Sequence, residues 1–241
     1  FNHADLFYSK SRLEPLSIKA AINAVIAHHD MLRLTCNKTS DGVELIIPEK
    51  SDYINSAETT STSSDSQSDL SDIKSISKIF STSKTFEVVD LKNLPVEEAQ
   101  NALSRIAAKY QESFNLFDPL NPLIKVVLFQ LADSDRLFIV IHHLIGDAVS
   151  WRILLEDLES AYNQHQSLLN AKYIEQEKTE QKEIREKEIE HDRTIKLPQK
   201  TTPFPVWAEA LEKYSRSEAL QSEKEYWINV INKPFGRLPA D

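Results

Sequence analysis

The residues of this chain best suited to chemistry are the adjacent pair His142 and His143 with Asp147 four positions on, within Ile141-His142-His143-Leu144-Ile145-Gly146-Asp147-Ala148. A neutral imidazole, with a pKa near ~6.5, takes up a proton close to neutral pH, which is what a general base has to do. In an extended strand neighbouring side chains point to opposite faces, so the two rings cannot serve one cavity in the same way. One is expected to be structural and the other functional. A blander reading stands beside this one. Each imidazole has a donor and an acceptor to satisfy, and a histidine pair beside an apolar strand is more often structural than catalytic. Asp147 also has two readings, as a residue of the site or as the N-cap of the next helix. No metal is expected here, because two adjacent histidines and one Asp give too few ligands at the wrong spacing for the usual zinc sites.

The elements that have to position these residues can be read from periodicity. The motif lies where a strand gives way to a helix, the place at which open α/β sheets hold their ligands. Residues 137–141, Leu-Phe-Ile-Val-Ile, are apolar at every position, which predicts a strand covered on both faces in the middle of a sheet. A second strand is predicted over 123–129, parted from it by Asp133-Ser134-Asp135. Beyond the motif, Leu154, Leu155, Leu158 and Tyr162 recur at helical steps and predict a helix over 149–163. Upstream, Pro15 suits the start of a helix over 15–30 that packs through Leu16, Ala20, Val25 and Ile26. Residues 31–36 and 43–47, parted by Asp41-Gly42, predict a hairpin. A strand over 86–90 follows, then a helix opened by Pro95 with Ala99, Leu103, Ile106, Ala107 and Tyr110 inward. After Pro203 and Pro205 come two short helices, whose Trp207, Tyr226 and Trp227 read as core aromatics rather than ligands. The fold class is α/β, a central mixed sheet flanked by helices.

Two polar stretches interrupt this pattern. Residues 49–84 are dominated by Ser, Thr, Asp and Lys and cannot offset their ordering entropy by burial, so a mobile surface insertion is expected. Residues 166–200 are expected to form a second, solvated and partly helical insertion. Composition excludes several functions. A net charge of -9 argues against non-specific nucleic-acid binding, which needs clustered Lys and Arg. The glycines, Gly42, Gly146 and Gly236, are too scattered for a phosphate-cradling loop. The single cysteine, Cys36, cannot form an internal disulfide and reads as a small buried apolar residue. No apolar run approaches the ~20 residues of a membrane-spanning helix and the first residues carry no signal region, so no membrane partner and a cytoplasmic location are expected. The opening Phe1-Asn2-His3-Ala4-Asp5 reads as mid-domain sequence, and the chain is expected to be a piece of something longer.

The motif as a whole resembles the HHxxxD signature of the condensation superfamily of nonribosomal peptide synthetases. Its continuation, Val149-Ser150-Trp151-Arg152-Ile153-Leu154, resembles the longer HHxxxDxVSWxIL form of epimerization domains. Ala148 stands where peptide-bond-forming members usually carry Gly. Residues His28-His29-Asp30-Met31-Leu32-Arg33 resemble the family's RHExLR segment, with His28 in place of the first Arg and Asp30 in place of Glu. Residues 197–204, Trp207-Ala208 and Tyr226-Trp227 resemble later landmarks, so the likeness covers nearly all the chain outside the two polar stretches.

The resemblance implies that residues 1–241 form one chloramphenicol-acetyltransferase-like lobe, the N-terminal of two. A tunnel for phosphopantetheine arms would run between this lobe and an absent second lobe. It implies that His143, with His142 beside it, moves a proton at the α-carbon of an aminoacyl or peptidyl thioester held by a carrier protein. In a condensation domain the same residue would instead assist an amine attacking an upstream thioester. A non-catalytic docking member is a third reading, for which a disrupted motif would be expected, and this motif is intact. Asp147 would pair with an arginine and hold the loop, and Arg33 would support the same region. By general electrostatics, the start of the following helix, Ala148, Val149, Ser150 and Trp151, offers oxyanion or tunnel contacts. The chain itself would bind no cofactor, since phosphopantetheine arrives on the carrier. Its partners would be carrier domains, adjacent synthetase domains and the second lobe, whose Glu would return the proton from the opposite face. The lobe by itself is expected to be inactive.

Overall fold

The computed structural model describes residues 1–49, 85–118, 121–178, 195–234 and 236. The insertion expected over 49–84 lies almost wholly outside these residues, as does much of the one expected over 166–200. Residues 1–199 form one compact unit and residues 200–241 another.

The first unit is built on a mixed four-stranded sheet. Its strands are β1 (Asn2–Ser9), β4 (Phe86–Asp90), β5 (Ile124–Gln130) and β6 (Asp135–His142), in the spatial order β1-β6-β5-β4. β6 is antiparallel to both β1 and β5, while β4 and β5 run parallel. That parallel pair requires a crossover, which α2 (Val96–Glu112) supplies. The alternation of β5 and β6 then builds two cores. Val126, Leu128, Leu137, Ile139 and Ile141 face α1 (Pro15–His28) and α3 (Ala148–Lys178). Val127, Phe129, Phe138 and Val140 face α2 through Ala99, Leu103 and Ile106. β6 is therefore central and covered on both faces, as its sequence predicts. Each fully buried side chain of this size stabilises the fold by roughly 1.5–3 kcal/mol.

Several boundaries differ from the sequence expectation. β1 was not anticipated. It lies at one end of the sheet with only a partly buried face, so it lacks the continuous apolar run that marks β6. Residues Asp30–Arg33 form a 3-10 helix rather than the first strand of the hairpin, which is confined to β2 (Thr35–Thr39) and β3 (Gly42–Ile46). Its turn places Gly42 at φ +148, a conformation open to residues without a Cβ. α1 buries Ser17, Ile18, Ala21, Ile22, Val25 and Ile26, whereas Leu16 is 62% exposed, because the inward face starts at Ser17. α3 continues to Lys178, so the charged stretch begins as helix.

Polar contacts fix how these layers meet. Asp135, fully buried at the start of β6, accepts from the Arg12 guanidinium at 2.6 Å and from the Leu13 amide at 2.7 Å, which ties the approach to α1 onto the sheet. Between α1 and α3, Tyr162 Oη accepts from the Glu14 amide at 3.1 Å. Further along that interface, Ser17 Oγ meets His165 Nδ1 at 2.9 Å and Asp157 Oδ2 meets His29 Nε2 at 2.7 Å.

The second unit contains α4 (Phe204–Ser215), α5 (Glu218–Ser222) and α6 (Lys224–Ile231), with Ser217 capping α5 through the Leu220 amide. Trp207, Tyr226 and Trp227 are each about half exposed, not core residues, because three short helices form no second layer to cover them. No helix among the described residues is long and apolar enough to cross a membrane.

Leu128→Ala, at a wholly buried position, is expected to destabilise the first unit by about 2–5 kcal/mol in urea titration. Leu16→Ala, on the exposed side of α1, is expected to change stability by no more than ~0.5 kcal/mol.

Candidate active site

The site is made where β6 runs out. The His142 amide bonds the Leu123 carbonyl at 2.8 Å, the His143 amide bonds the Phe1 carbonyl at 2.9 Å, and the Ile145 amide turns back to the His142 carbonyl at 3.0 Å. The chain therefore leaves the sheet in a tight turn and enters α3 at Ala148. Gly146 sits in close approach: a Cβ there would lie 3.0 Å from Ile141 Cδ1 and 3.3 Å from Ser150 Cβ, so those side chains would have to shift slightly to admit one.

The alternation expected for the two histidines is present, and it gives them opposite chemistry. His142, half-buried, lies on the α2 face with its ring edge-on to Phe114, 6.1 Å between centroids. Its Nδ1 accepts from the Leu144 amide at 3.1 Å, so the proton of the neutral ring sits on Nε2. Burial pushes the His142 pKa below its ordinary value and favours that neutral form. His143 is exposed, and its Nδ1 lies 3.0 Å from the Gly146 carbonyl oxygen, which can only accept. Nδ1 must carry the proton, which leaves the Nε2 lone pair as the basic site.

Sequence reasoning missed the residues that flank this ring. His3 of β1 stands edge-on to His143 with centroids 4.3 Å apart, and Phe1 lies 5.6 Å away on a tilted plane. The Nε2 of His3 is buried without a hydrogen-bond partner. No spacing signal links residues 3 and 143; only the β1–β6 register, which sets His3 opposite Ile141, brings them together.

Other expectations need correction. Asp147 accepts from the Ser150 amide at 2.9 Å and from Ser150 Oγ at 2.7 Å, while its own amide donates to Ser150 Oγ at 3.1 Å. This is an N-cap for α3, and no ion pair to an arginine accompanies it among the described residues. The same hydrogen bonds from Ser150 hold the Asp147 carboxyl below the usual carboxylate range. Its carboxylate already takes the Ser150 amide, so that amide is not open to an oxyanion. Trp151 is buried against Phe7 and the sheet core rather than lining a tunnel, because it lies on the inward face of the helix. Ala148 and Val149 are exposed on its outer face, and Ser150 is half-buried. Arg33 is only 3% exposed and donates to the carbonyls of Ile26, Ala27 and Pro48 and to Asp30. It closes the C-terminal end of α1 and bonds no residue of the motif.

These observations define an α/β structure with an exposed, tautomer-fixed histidine at the end of its central strand. The chain belongs to the condensation-domain superfamily. Residues 79–190 match the family described as "Condensation domain". Over its whole length the chain is 28% identical to surfactin synthase subunit 2 of Bacillus subtilis, of which it spans 5%. It is 37% identical over 134 residues to gramicidin S synthase 1 of Brevibacillus brevis, a match covering 56% of this chain and 10% of that one. Among solved structures, it superposes on the epimerization domain from the third module of tyrocidine synthetase B with a TM-score of 0.68 and 26% identity, covering 98% of this chain and 41% of that one. The starter condensation domain of rhizomide synthetase matches with a TM-score of 0.59 at 17% identity, covering 95% and 41% of the two chains, a likeness of fold alone.

Because the Asp147 pKa is lowered from 3.8 on folding, the charged cap contributes stability in full above that value and loses it as pH falls through the depressed one. Asp147→Asn is expected to be less stable than wild type at neutral pH, with the difference vanishing on acidification below about pH 4, as followed by acid titration of helical circular dichroism. Arg33→Ala is expected to cost about 3 kcal/mol in chemical denaturation, because it orphans carbonyls that the guanidinium now satisfies.

Proposed function

We propose that this chain is part of an epimerization-type domain in which His143 moves a proton at the α-carbon of an aminoacyl or peptidyl thioester. The carrying observation is the Nδ1 contact of His143 with the Gly146 carbonyl, which aims a single basic nitrogen, Nε2, away from the backbone of an exposed turn. A thioester carbonyl acidifies the neighbouring C–H. Nε2 accepts that proton while Nδ1–H stays on Gly146, whose carbonyl stabilises the imidazolium that forms. His142, in the opposite tautomer and biased toward neutrality, supports the turn rather than sharing the proton.

The Val149-Ser150-Trp151 continuation of the motif and the superposition on an epimerization domain favour this reaction over peptide-bond formation. The substrate is presented on the phosphopantetheine arm of a carrier protein, and the opposite face of the α-carbon is protonated by an acidic residue of a second lobe. The match of residues 79–190 to the condensation family fits equally a second reading, in which the same Nε2 receives a proton from an attacking amine.

The two readings separate in the complete protein that bears this chain, given an aminoacyl-loaded carrier in deuterated water. Epimerization exchanges the α-hydrogen for deuterium and yields the D-thioester, whereas condensation yields an amide with the α-hydrogen retained. His143→Ala is expected to lower α-deuteration by about 10²- to 10⁴-fold by mass spectrometry. Undiminished exchange in that variant would exclude His143 as the base.

A further inference from the structure

A second group of histidines lies away from the motif, at the junction of α1 and α3. His28 is the last residue of α1 and His29 is its C-cap, where the backbone turns extended at φ -91 and ψ 109. That turn brings two consecutive rings together edge-on, 4.9 Å between centroids, instead of splaying them around the helix. Asp157 of α3, its side chain 8% exposed, reaches across so that Oδ2 lies 2.7 Å from His29 Nε2. One ligating atom from each of His28, His29 and Asp157 lies within 4.8 Å of the other two, the only such group of His, Cys, Asp and Glu among the described residues. Asp157 follows Asp147 by ten residues on one helix, about 15 Å along its axis, so this cluster is distinct from the motif.

We propose that His28, His29 and Asp157 form a binding site for a divalent transition metal of the zinc class, which clamps the C-terminal end of α1 to α3. Two imidazoles and one carboxylate are a donor set that zinc accepts, with bonds of about 2.0–2.2 Å and a fourth position left to water. Donor atoms around such an ion lie roughly 3.3 Å apart, so the site closes by modest rotation of the two partly exposed rings. As the ion takes the place of the proton between His29 Nε2 and the Asp157 carboxylate, Nε2 becomes the ligand and the neutral ring keeps its one proton on Nδ1. Charge favours the ion. The Asp157 carboxylate supplies a negative charge at the site, and the nearby Arg33 guanidinium is balanced by Asp30 at 2.8 Å. The role is structural and independent of the reaction at His143.

The test uses the full-length protein, stripped of metal with a chelator and titrated with zinc chloride by calorimetry and thermal melting. One zinc ion per chain is expected, with a rise in melting temperature that grows with zinc concentration. His28→Gln and Asp157→Asn are each expected to weaken zinc binding by at least about tenfold. His143→Ala is expected to bind zinc like wild type, which separates this site from the motif. Because Asp157→Asn also loses the contact to His29, the deciding quantity is the zinc-dependent increment in His28→Gln. An equal increment in wild type and His28→Gln overturns the assignment, as does a wild-type chain that takes up no zinc.

Discussion

The burial of β6 on both faces governs the rest of this structure. With Leu137, Ile139 and Ile141 held against α1 and α3, and Phe138 and Val140 against α2, the strand has no free face along its length. Reactive side chains can meet solvent only where it ends. His142 is still half inside, and His143 is the first position whose ring is exposed. The candidate site lies there because the packing leaves no other position on that strand open to solvent in this way.

Once outside, the ring has to be oriented without the help of a core. The turn does this through its own backbone. Gly146 lets the chain pass close to Ile141 and Ser150, and its carbonyl then fixes which nitrogen of His143 carries the proton. Asp147 and Ser150 hold the start of α3 in reciprocal hydrogen bonds. The aspartate therefore acts on the histidine indirectly, by keeping the turn in shape.

What the sequence disclosed follows from how local each signal is. The apolar run of β6, the helical stripe of α2 and the strand-to-helix site of the motif are written in consecutive residues, and all three are present in the fold. That His142 and His143 have different surroundings was readable from strand alternation, but which nitrogen of each ring carries the proton was not, because it depends on the turn that follows. The roles of Arg33 and Trp151 were not, because each depends on which way a helix end or helix face is turned. Arg33 goes to the carbonyls ending α1, and Trp151 goes into the core. His3 was invisible for a different reason: its partner lies across a strand pairing that joins the two ends of a long stretch of chain, and no local pattern encodes that.

The pairing of β1 with β6 carries a consequence for assembly. The Phe1 carbonyl and the His3 ring, which complete the surroundings of His143, belong to a strand with one hydrogen-bonded neighbour in the sheet. Such a margin opens locally at lower free energy than the interior strands. It also joins residues well over a hundred positions apart, the kind of contact that forms late. The exposed ring of His143 thus loses these neighbours by local opening at the sheet margin, before the interior strands separate.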